Sequence, residues 1–176
     1  MILETERLAL REMTQDDYPA LCAILQDPEV MTAYEHAFSD EEVQRWLDQQ
    51  IHRYRQDGFG LWAVLLKSTG DMIGQCGITM QDWDGQWVLE VGYLFRKDCW
   101  HKGYATEAAV ACKQYAFQTL KADRIYSIIR DTNLPSQKVA MRNGMSICGQ
   151  FVKHYYGVDM PHLVFCAAKD KDTHPQ

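Results

Sequence analysis

Residues 96–108 read R-K-D-C-W-H-K-G-Y-A-T-E-A and join a predicted strand that ends at Phe95 to a predicted helix that begins at Tyr104. The segment carries three Lys or Arg residues against one Asp and one Glu, in a chain whose net charge is −6. Gly103 lets the backbone come close to a ligand at the start of the helix, where unpaired first-turn N–H groups and the helix dipole favour an anion. The segment therefore predicts a site for a phosphate-bearing ligand. The alternative is a solvated basic loop in which Gly103 only eases entry into the helix.

Three consecutive strands are predicted before this segment, at Leu61–Leu66, Met72–Met80 and Trp87–Phe95. The turn sequences S-T-G-D at 68–71 and D-W-D-G at 82–85 separate them, so we expect an antiparallel meander. The fold class is α+β, a mostly antiparallel twisted sheet flanked by helices. Spacing and capping residues predict further strands at 8–12, 124–130, 146–156 and 163–168, and helices at 18–25, 39–55, 104–120 and 136–142.

Composition restricts the classes of protein to consider. The chain has 176 residues, of which 47% are apolar and 24% charged, as in globular proteins; we expect one domain at 1–168 and a polar tail at 169–176. A net charge of −6 argues against non-specific binding of nucleic acid and is compatible with cationic amines as ligands. No apolar run is long enough for a membrane span, and the N-terminal sequence lacks the order of a signal peptide. We therefore expect a cytoplasmic protein with reduced cysteines.

Motifs of several other enzyme classes are absent from the sequence. Gly144 and Gly149 have the spacing of a Walker loop, but Gln150 and Phe151 follow where Lys and Ser or Thr are needed. No G-x-G-x-x-G follows a strand, and no G-x-S-x-G is present. The six histidines show no H-E-x-x-H spacing and the six cysteines no C-x-x-C pair. We expect no metal site.

The stretch from Val91 to Ala108 resembles motif A of the GCN5-related N-acetyltransferase (GNAT) superfamily, Arg/Gln-x-x-Gly-x-Gly/Ala. Gly103 and Ala105 match the last two positions, whereas Trp100 stands at the first. His101 stands where Gly is common. The chain also resembles the branch that acetylates the N-termini of ribosomal proteins (Rim-type), in five segments: T-E-R-L-A-L-R at 5–11, M-I-G-Q-C-G at 72–77, E-V-G-Y at 90–93, K-G-Y-A-T-E-A at 102–108, and N-x-x-S at 133–136 with R-N-G-M at 142–145.

This resemblance implies acetyl-CoA as donor, with no metal and no covalent enzyme intermediate. The pyrophosphate is expected on the amides of about 102–106, and the pantetheine arm beside the end of the strand at Phe95, where the next strand splays away. The resemblance implies that Asn133 forms a hydrogen bond with the cofactor arm; the local alternative is an N-cap before Pro135. It also implies that Arg142 contacts an outlying phosphate; the alternative is an exposed helix residue. The implied cofactor contacts are Tyr93, Leu94, Phe95, His101, Lys102, Gly103, Tyr104, Ala105, Thr106, Asn133 and Arg142.

Glu90 and Ser136 are the candidate catalytic residues. Glu90 lies on the strand that leads to the slot and is a candidate base for the acceptor ammonium, directly or through water; the alternative is a strand carboxylate paired with a cation. The family pattern places Ser136 near the thiol sulfur, where its hydroxyl would donate a hydrogen bond; the alternative is a residue that satisfies amides at a helix start. Alternative acids are Tyr93, Tyr104, Tyr155 and Tyr156, although aromatic residues at strand spacing are more typical of a core.

We therefore predict an acetyl-CoA-dependent N-acetyltransferase. The acceptor is a primary amine, either a protein N-terminus or a small cationic amine. The net charge of −6 is compatible with both. The rival hypothesis is a non-catalytic acyl-CoA-binding regulatory domain that has lost the acceptor pocket; Glu90, Asn133 and Ser136 together favour an enzyme. The sequence leaves the oligomeric state open, with a dimer as one option.

Overall fold

The computed structural model describes residues 1–155 and 157–170, without the side chain of Tyr155. Tyr156 and residues 171–176 of the predicted tail lie outside this part of the chain. Three 3₁₀ turns, at Gln15–Asp17, Thr32–Tyr34 and Lys97–Cys99, accompany the helices and strands. The helices are α1 (Tyr18–Leu25), α2 (Asp40–Gln56), α3 (Tyr104–Gln118) and α4 (Leu134–Arg142), and the strands are β1 (Leu3–Glu4), β2 (Leu8–Arg11), β3 (Leu61–Leu66), β4 (Met72–Trp83), β5 (Gln86–Phe95), β6 (Arg124–Arg130), β7 (Ser146–Tyr155) and β8 (Val158–Ala168).

The strands form one sheet in the order β1-β2-β3-β4-β5-β6-β8-β7. Across the described residues, every neighbouring pair is antiparallel except β5 and β6, which run parallel. β4 pairs with β5 along its length, but β6 pairs with β5 at one register position, Glu90 with Tyr126. The sheet is thus open beside β5 beyond Glu90. This confirms the prediction of a mostly antiparallel sheet that splays at this place.

Helices cover both faces of the sheet. Trp62 and Val64 of β3 belong to a buried cluster with α3, while Leu61 and Ala63 belong to a second cluster with α1 and α2. This alternation is the two-residue period of a strand buried on both faces. α3 contributes only small buried side chains, which allow it to lie close to the sheet: Ala108, Ala109, Cys112 and Ala116.

Several predicted boundaries are confirmed. Ser39 Oγ accepts from the Glu42 N–H at 3.2 Å while the Ser39 N–H donates to Glu42 Oε2 at 2.8 Å, so the capping box is present. In the β4–β5 turn, Asp84 and Gly85 have φ values of 54° and 83°, the left-handed conformation that a tight hairpin with Asp-Gly requires.

Other boundaries were predicted wrongly. β8 begins at Val158 rather than at residue 163, because Pro161 is accommodated opposite Val152 within the β7–β8 ladder. β4 continues to Trp83 as part of its hairpin, and β1 is a two-residue strand that no pattern indicated. In the described residues no helix has the length and apolarity to cross a bilayer.

Candidate active site

A cavity of about 340 Å³ opens where β5 and β6 separate. Its walls come from the 3₁₀ turn at 32–34, from α2, from the start of β3, from the second halves of β4 and β5, from the end of β6, from the start of α4, and from β7 and β8. Five residues predicted from the sequence line it: Glu90, Tyr93, Leu94, Asn133 and Ser136. Both candidate catalytic residues therefore face one space, together with three of the predicted cofactor contacts.

Glu90 is partly buried in the wall of this cavity, and its Oε2 accepts a hydrogen bond from the Ile128 N–H at 2.8 Å. Burial raises the pKa of Glu90, against the charges of Lys153 and Arg53 and the Ile128 hydrogen bond, which act in the opposite direction. Within the described residues Glu90 forms no ion pair. A carboxylate with a raised pKa is better matched to accept a proton near neutral pH than an exposed one.

The start of α4 brings three predicted residues together. Asn133 Oδ1 accepts from the Ser136 N–H at 3.3 Å, so Asn133 is the N-cap that the local alternative describes. The Tyr93 hydroxyl donates to the Ser136 carbonyl at 2.7 Å, which ties β5 to α4. Ser136 Oγ itself has no hydrogen bond to any described residue. It is therefore a free hydroxyl on the cavity wall.

The tyrosines are weaker candidates for the acid. The Tyr93 proton is already donated to Ser136, and burial raises the pKa of Tyr93. Tyr104 does not line the cavity but lies under the Arg7 guanidinium, whose carbon is 4.5 Å from the ring centroid. The Tyr155 side chain and Tyr156 fall outside the described residues.

The helix start predicted to bind phosphate has an open backbone. Gly103 is the N-cap of α3, with φ of 82° and no side-chain cap. The amides of Tyr104, Ala105 and Thr106 have no acceptor among the described residues, so they remain available to an anion. His101 also lies in the left-handed region, with φ of 60°, which explains why glycine is common at this position in the family that the sequence resembles.

The cations of this segment are mostly engaged. Arg96 pairs with Asp98 at 2.6 Å and Lys97 with Glu29 at 2.7 Å. Lys102 Nζ donates to the Asp98 carbonyl at 2.9 Å. Anion binding at this helix start would therefore depend more on backbone amides than on side-chain charge.

Arg7 and Glu107 form a contact that the sequence analysis did not identify, which we call the clasp. Glu107 accepts from Thr5 Oγ1 at 2.6 Å, from the Arg7 N–H at 2.9 Å and from Arg7 Nε at 2.7 Å. Burial acts to raise the pKa of Glu107, but these hydrogen bonds and the Arg7 charge outweigh it and lower that pKa. Arg7 Nη1 also donates to the Lys102 carbonyl at 2.9 Å. The clasp thus fixes the loop and the first turn of α3 to β2.

The remaining predicted contacts lie around the cavity rather than in it. The Phe95 ring packs against Gly74, where an added Cβ would lie 2.6 Å from Phe95 Cδ1, and the Phe95 carbonyl accepts from Trp100 Nε1 at 3.0 Å. Arg142 is exposed on the last turn of α4, has no ion pair among the described residues and does not line the cavity. Its contact with a phosphate stays a prediction.

Four cavity residues carry functional groups that the sequence analysis missed. Arg53 lies on α2, Arg130 at the end of β6, Lys153 on β7 and His162 on β8. His162 Nδ1 donates to the Met160 carbonyl at 2.7 Å, and burial lowers the pKa of this ring, which keeps it neutral at pH 7. These residues are remote in sequence and belong to no short motif, so only the fold brings them together.

Neither a metal cluster nor a disulfide is part of this site. The described residues contain no group of three or more His, Cys, Asp or Glu side chains suited to hold a metal ion. All six cysteines are free thiols.

Comparison with known proteins identifies relatives over most of the chain. It is 36% identical over 144 residues to an uncharacterised protein, YkkB, of Bacillus subtilis (strain 168), with 81% of this chain and 84% of the relative covered. It is 35% identical over 140 residues to the uncharacterised N-acetyltransferase p20 of Bacillus licheniformis, with 78% of each covered. The crystal structure of an acetyltransferase from Agrobacterium tumefaciens str. C58 superimposes with a TM-score of 0.80 at 28% identity, covering 95% of this chain and 94% of that one.

Two more distant structures share the fold and contain coenzyme A. One is RimL, a ribosomal L7/L12 α-N-protein acetyltransferase in complex with coenzyme A, at a TM-score of 0.78, 16% identity and coverage of 95% of this chain and 97% of that one. The other is a spermidine N-acetyltransferase from Vibrio cholerae in complex with CoA and spermine, at a TM-score of 0.74, 16% identity and coverage of 93% and 96%. The likeness to Rim-type enzymes is therefore confirmed at the level of the fold.

The acetyltransferase (GNAT) domain family matches residues 7–146, which include β2 to β6, α3 and α4. The K-G-Y-A-T-E-A segment at 102–108 and the N-x-x-S segment at 133–136 fall within this range, and the opening segment at 5–11 overlaps it from residue 7 onward. The chain belongs to the GNAT acetyltransferase family and is an N-acetyltransferase.

Proposed function

We propose that the protein transfers an acetyl group from acetyl-CoA directly to a primary amine held in the cavity between β5 and β6. One observation carries the proposal: the same cavity is lined by a carboxylate of raised pKa, Glu90, and by a free hydroxyl, Ser136. These are the two groups that amine acetylation needs, one to take a proton from the acceptor and one to stabilise the leaving thiolate. The setting we propose is the cytoplasm, with residues 1–168 as one domain.

The backbone beside this cavity fits coenzyme A. The free amides of Tyr104 to Thr106 and the turn at Gly103 suit a pyrophosphate. The edge of β5 beyond Glu90 has no strand partner on the β6 side. The Val91 carbonyl accepts from Ser127 Oγ at 2.8 Å and the Phe95 carbonyl accepts from Trp100 Nε1, so the stretch between them, Gly92 to Leu94, is the part of this edge that we propose for an extended pantetheine arm, as for an added strand. Asn133 lies on the cavity wall, where its amide is in reach of the same arm.

Acetyl-CoA supplies a thioester carbonyl that an uncharged amine can attack. Glu90 accepts the proton of the acceptor ammonium, directly or through water, while the Ile128 N–H holds its carboxylate in place. As the carbon–sulfur bond breaks, Ser136 Oγ donates a hydrogen bond to the sulfur, and the second proton that the amine nitrogen loses passes to the thiolate, directly or through water. The products are an N-acetyl amide and coenzyme A, and no residue of the chain is modified in between.

A thiol-release assay over a panel of amines and peptides tests this proposal. We expect Glu90→Gln and Ser136→Ala each to reduce acetyl transfer while acetyl-CoA affinity, measured by calorimetry, changes little. Ser146→Ala is the matched control, because Ser146 is an exposed serine at the start of β7. A protein that binds acetyl-CoA yet acetylates no amine of the panel would instead be the regulatory acyl-CoA-binding domain.

A further inference from the structure

The cavity is more positive than the net charge of the chain suggests. Arg53, Arg130 and Lys153 line it, with Glu90 as the carboxylate among its lining residues, in a chain of net charge −6. Arg130 is neutralised by Glu35, whose Oε1 lies 2.5 Å from Arg130 Nη2. Arg53 and Lys153 are therefore the lining cations that have no carboxylate partner among the described residues.

Arg53 is a partly buried guanidinium without an ion pair. Its Nη1 donates to the neutral Gln50 Oε1 at 3.3 Å, and among the described residues no carboxylate oxygen lies within 4 Å of it. Burial lowers its pKa, and the charges of Asp57 and Glu90 only partly offset this. A desolvated cation without a partner is costly, and a guanidinium binds a carboxylate with two parallel hydrogen bonds. Arg53 is suited to receive a carboxylate from a ligand.

Lys153 approaches the same place from another element. It lies on β7, lines the cavity and has no ion pair among the described residues. Lys153, Arg53 and Glu90 line the same cavity, and the charges of the two cations both act to lower the pKa of Glu90. A second ammonium group at this position would be repelled, whereas a carboxylate would be attracted.

We infer that the acceptor is an amine that carries a carboxylate close to it, with the amine at Glu90 and the carboxylate at Arg53 and Lys153. This inference rests on the proposed function, since it names the substrate class of that site. The shared chemistry is an amino acid or a peptide N-terminus with an acidic neighbour. The inference therefore disfavours small cationic amines without a carboxylate, which the overall charge of the chain allowed as acceptors.

Matched amines test the inference by activity. The probes are 4-aminobutyrate, its primary amide and 1,4-diaminobutane, which differ in the group opposite the amine, and the tripeptides Ser-Asp-Phe and Ser-Asn-Phe with amidated C-termini. In one of these two sets, we expect kcat/KM to be at least about tenfold higher for the compound with the carboxylate than for the others. A preference within the aminobutyrate set indicates a small amino acid as acceptor, and a preference within the tripeptide set indicates a peptide N-terminus. Equal rates, or a preference for 1,4-diaminobutane, would overturn the inference and leave the acetyltransferase proposal standing.

Arg53→Gln is expected to abolish this preference, and Lys153→Gln to weaken it. Arg55→Gln is the matched control, because Arg55 is an exposed arginine on the same helix that does not line the cavity. Circular dichroism shows whether each variant and the control fold. If one of the two cavity variants does not fold, the other one tests the inference. A preference that survives both cavity substitutions contradicts the inference.

A binding measurement separates this inference from the proposed function. Calorimetry of butyrate with the coenzyme A complex is expected to show binding that Arg53→Gln weakens at least about tenfold. If no amine is acetylated but butyrate binding still requires Arg53, the proposed function fails and the carboxylate site stands. If butyrate does not bind, or binds equally to Arg53→Gln, the carboxylate site is wrong.

Discussion

Arg7 and Glu107 are one hundred positions apart in sequence, yet Arg7 Nε donates to Glu107 Oε2 at 2.7 Å. Glu107 is in the first turn of α3, where a carboxylate is also stabilised by the helix dipole. Because Arg7 also binds the Lys102 carbonyl, one side chain fixes both the loop and the helix start. The free amides of α3 are thus held in position before any ligand arrives, which lowers the entropic cost of binding.

We predict that Glu107→Gln weakens acetyl-CoA binding several-fold and lowers the free energy of unfolding by about 1.5–3 kcal/mol, the usual contribution of a hydrogen bond to a charged group. Calorimetry and urea denaturation measure the two effects. Glu6→Gln is the control, because Glu6 is an exposed acid in the same N-terminal segment. Unchanged affinity in Glu107→Gln would show that the amides of α3 need no support from the clasp.

Gly103 and Gly85 offer a matched pair of substitutions. Both have φ near 80°, so alanine at either position costs about 1–2 kcal/mol of backbone strain. At Gly85 a Cβ meets nothing within 4 Å, whereas at Gly103 it lies 3.3 Å from Arg7 Nη2 at the start of α3. We expect similar losses of stability, with weaker acetyl-CoA binding for Gly103→Ala alone and a larger effect for Gly103→Val. Wild-type affinity in Gly103→Val would place the phosphate site elsewhere.

The loop cation Lys102 should contribute little to the same affinity. Its ammonium is engaged with the Asp98 carbonyl, and in our proposal the backbone amides of α3 bind the pyrophosphate. We therefore predict only a modest loss of acetyl-CoA affinity for Lys102→Ala by calorimetry. A loss as large as that of Gly103→Val would mean that side-chain charge dominates binding.

Glu90 is predicted to set the acid limb of the pH–rate profile. Its pKa is raised by burial, so activity should rise with pH through a value above the ordinary 4.5 of a glutamate, as Glu90 loses its proton and becomes a base. Lys153 lowers this pKa, so Lys153→Gln should move the limb to higher pH. Glu90→Gln should reduce kcat/KM roughly 10²-fold near neutral pH. This difference from the wild type should become smaller as pH rises, because more of the acceptor amine is then already uncharged. An unchanged profile in Glu90→Gln would make Glu90 a structural residue.

Asp17 provides a stability prediction away from the site. Both its oxygens accept from Arg11 at 2.8 Å and one from the Thr14 N–H at 2.8 Å. Burial acts to raise its pKa, but the hydrogen bonds with Arg11 and Thr14 outweigh it, so the folded pKa is below 3.8. The carboxylate therefore stabilises the fold above that value, and the contribution disappears as pH falls through the folded pKa.

We expect Asp17→Asn to lose about 2 kcal/mol of unfolding free energy at pH 7 and progressively less below about pH 4. Urea denaturation at several pH values measures both. Asp16→Asn, a change at an exposed neighbour, is the control. A loss that is the same at pH 3 and pH 7 would assign the effect to packing rather than to charge.

The elements with local signals were predictable from the sequence. The capping box at Ser39, the Asp84-Gly85 turn and the Asn133 N-cap each depend on side chains within three residues of one another. The start of β8 was predicted at residue 163, whereas in the structure the strand runs through Pro161, whose carbonyl accepts from the Asp131 N–H at 3.0 Å. That bond is made between distant parts of the chain, which no local pattern records.

The residues of the candidate site also fall into two groups, those that a local sequence motif indicates and those that only the fold brings together. Gly103, Glu90 and Ser136 belong to short motifs, and the structure places Glu90 and Ser136 on one cavity and gives Gly103 as the N-cap of α3. Arg53 and Lys153 have no motif, because their position depends on how α2 and β7 pack around the open sheet. The overall charge of the chain was also a poor guide, since it describes the whole surface and not one cavity.

The single β5–β6 pairing also has a consequence for how the protein assembles. On one side of the sheet β3, β4 and β5 pair in sequence order, and on the other side β7 pairs with β8. Each side therefore contains contacts between residues that are close in sequence, and such contacts form fast. The pairing of Glu90 with Tyr126 connects two residues that are separated in sequence by the whole of α3. It therefore closes a much longer loop than the hairpins do. We expect this seam to form late in folding. A ligand that pairs with the open edge of β5 would then bind the fully assembled state alone and shift the folding equilibrium towards it.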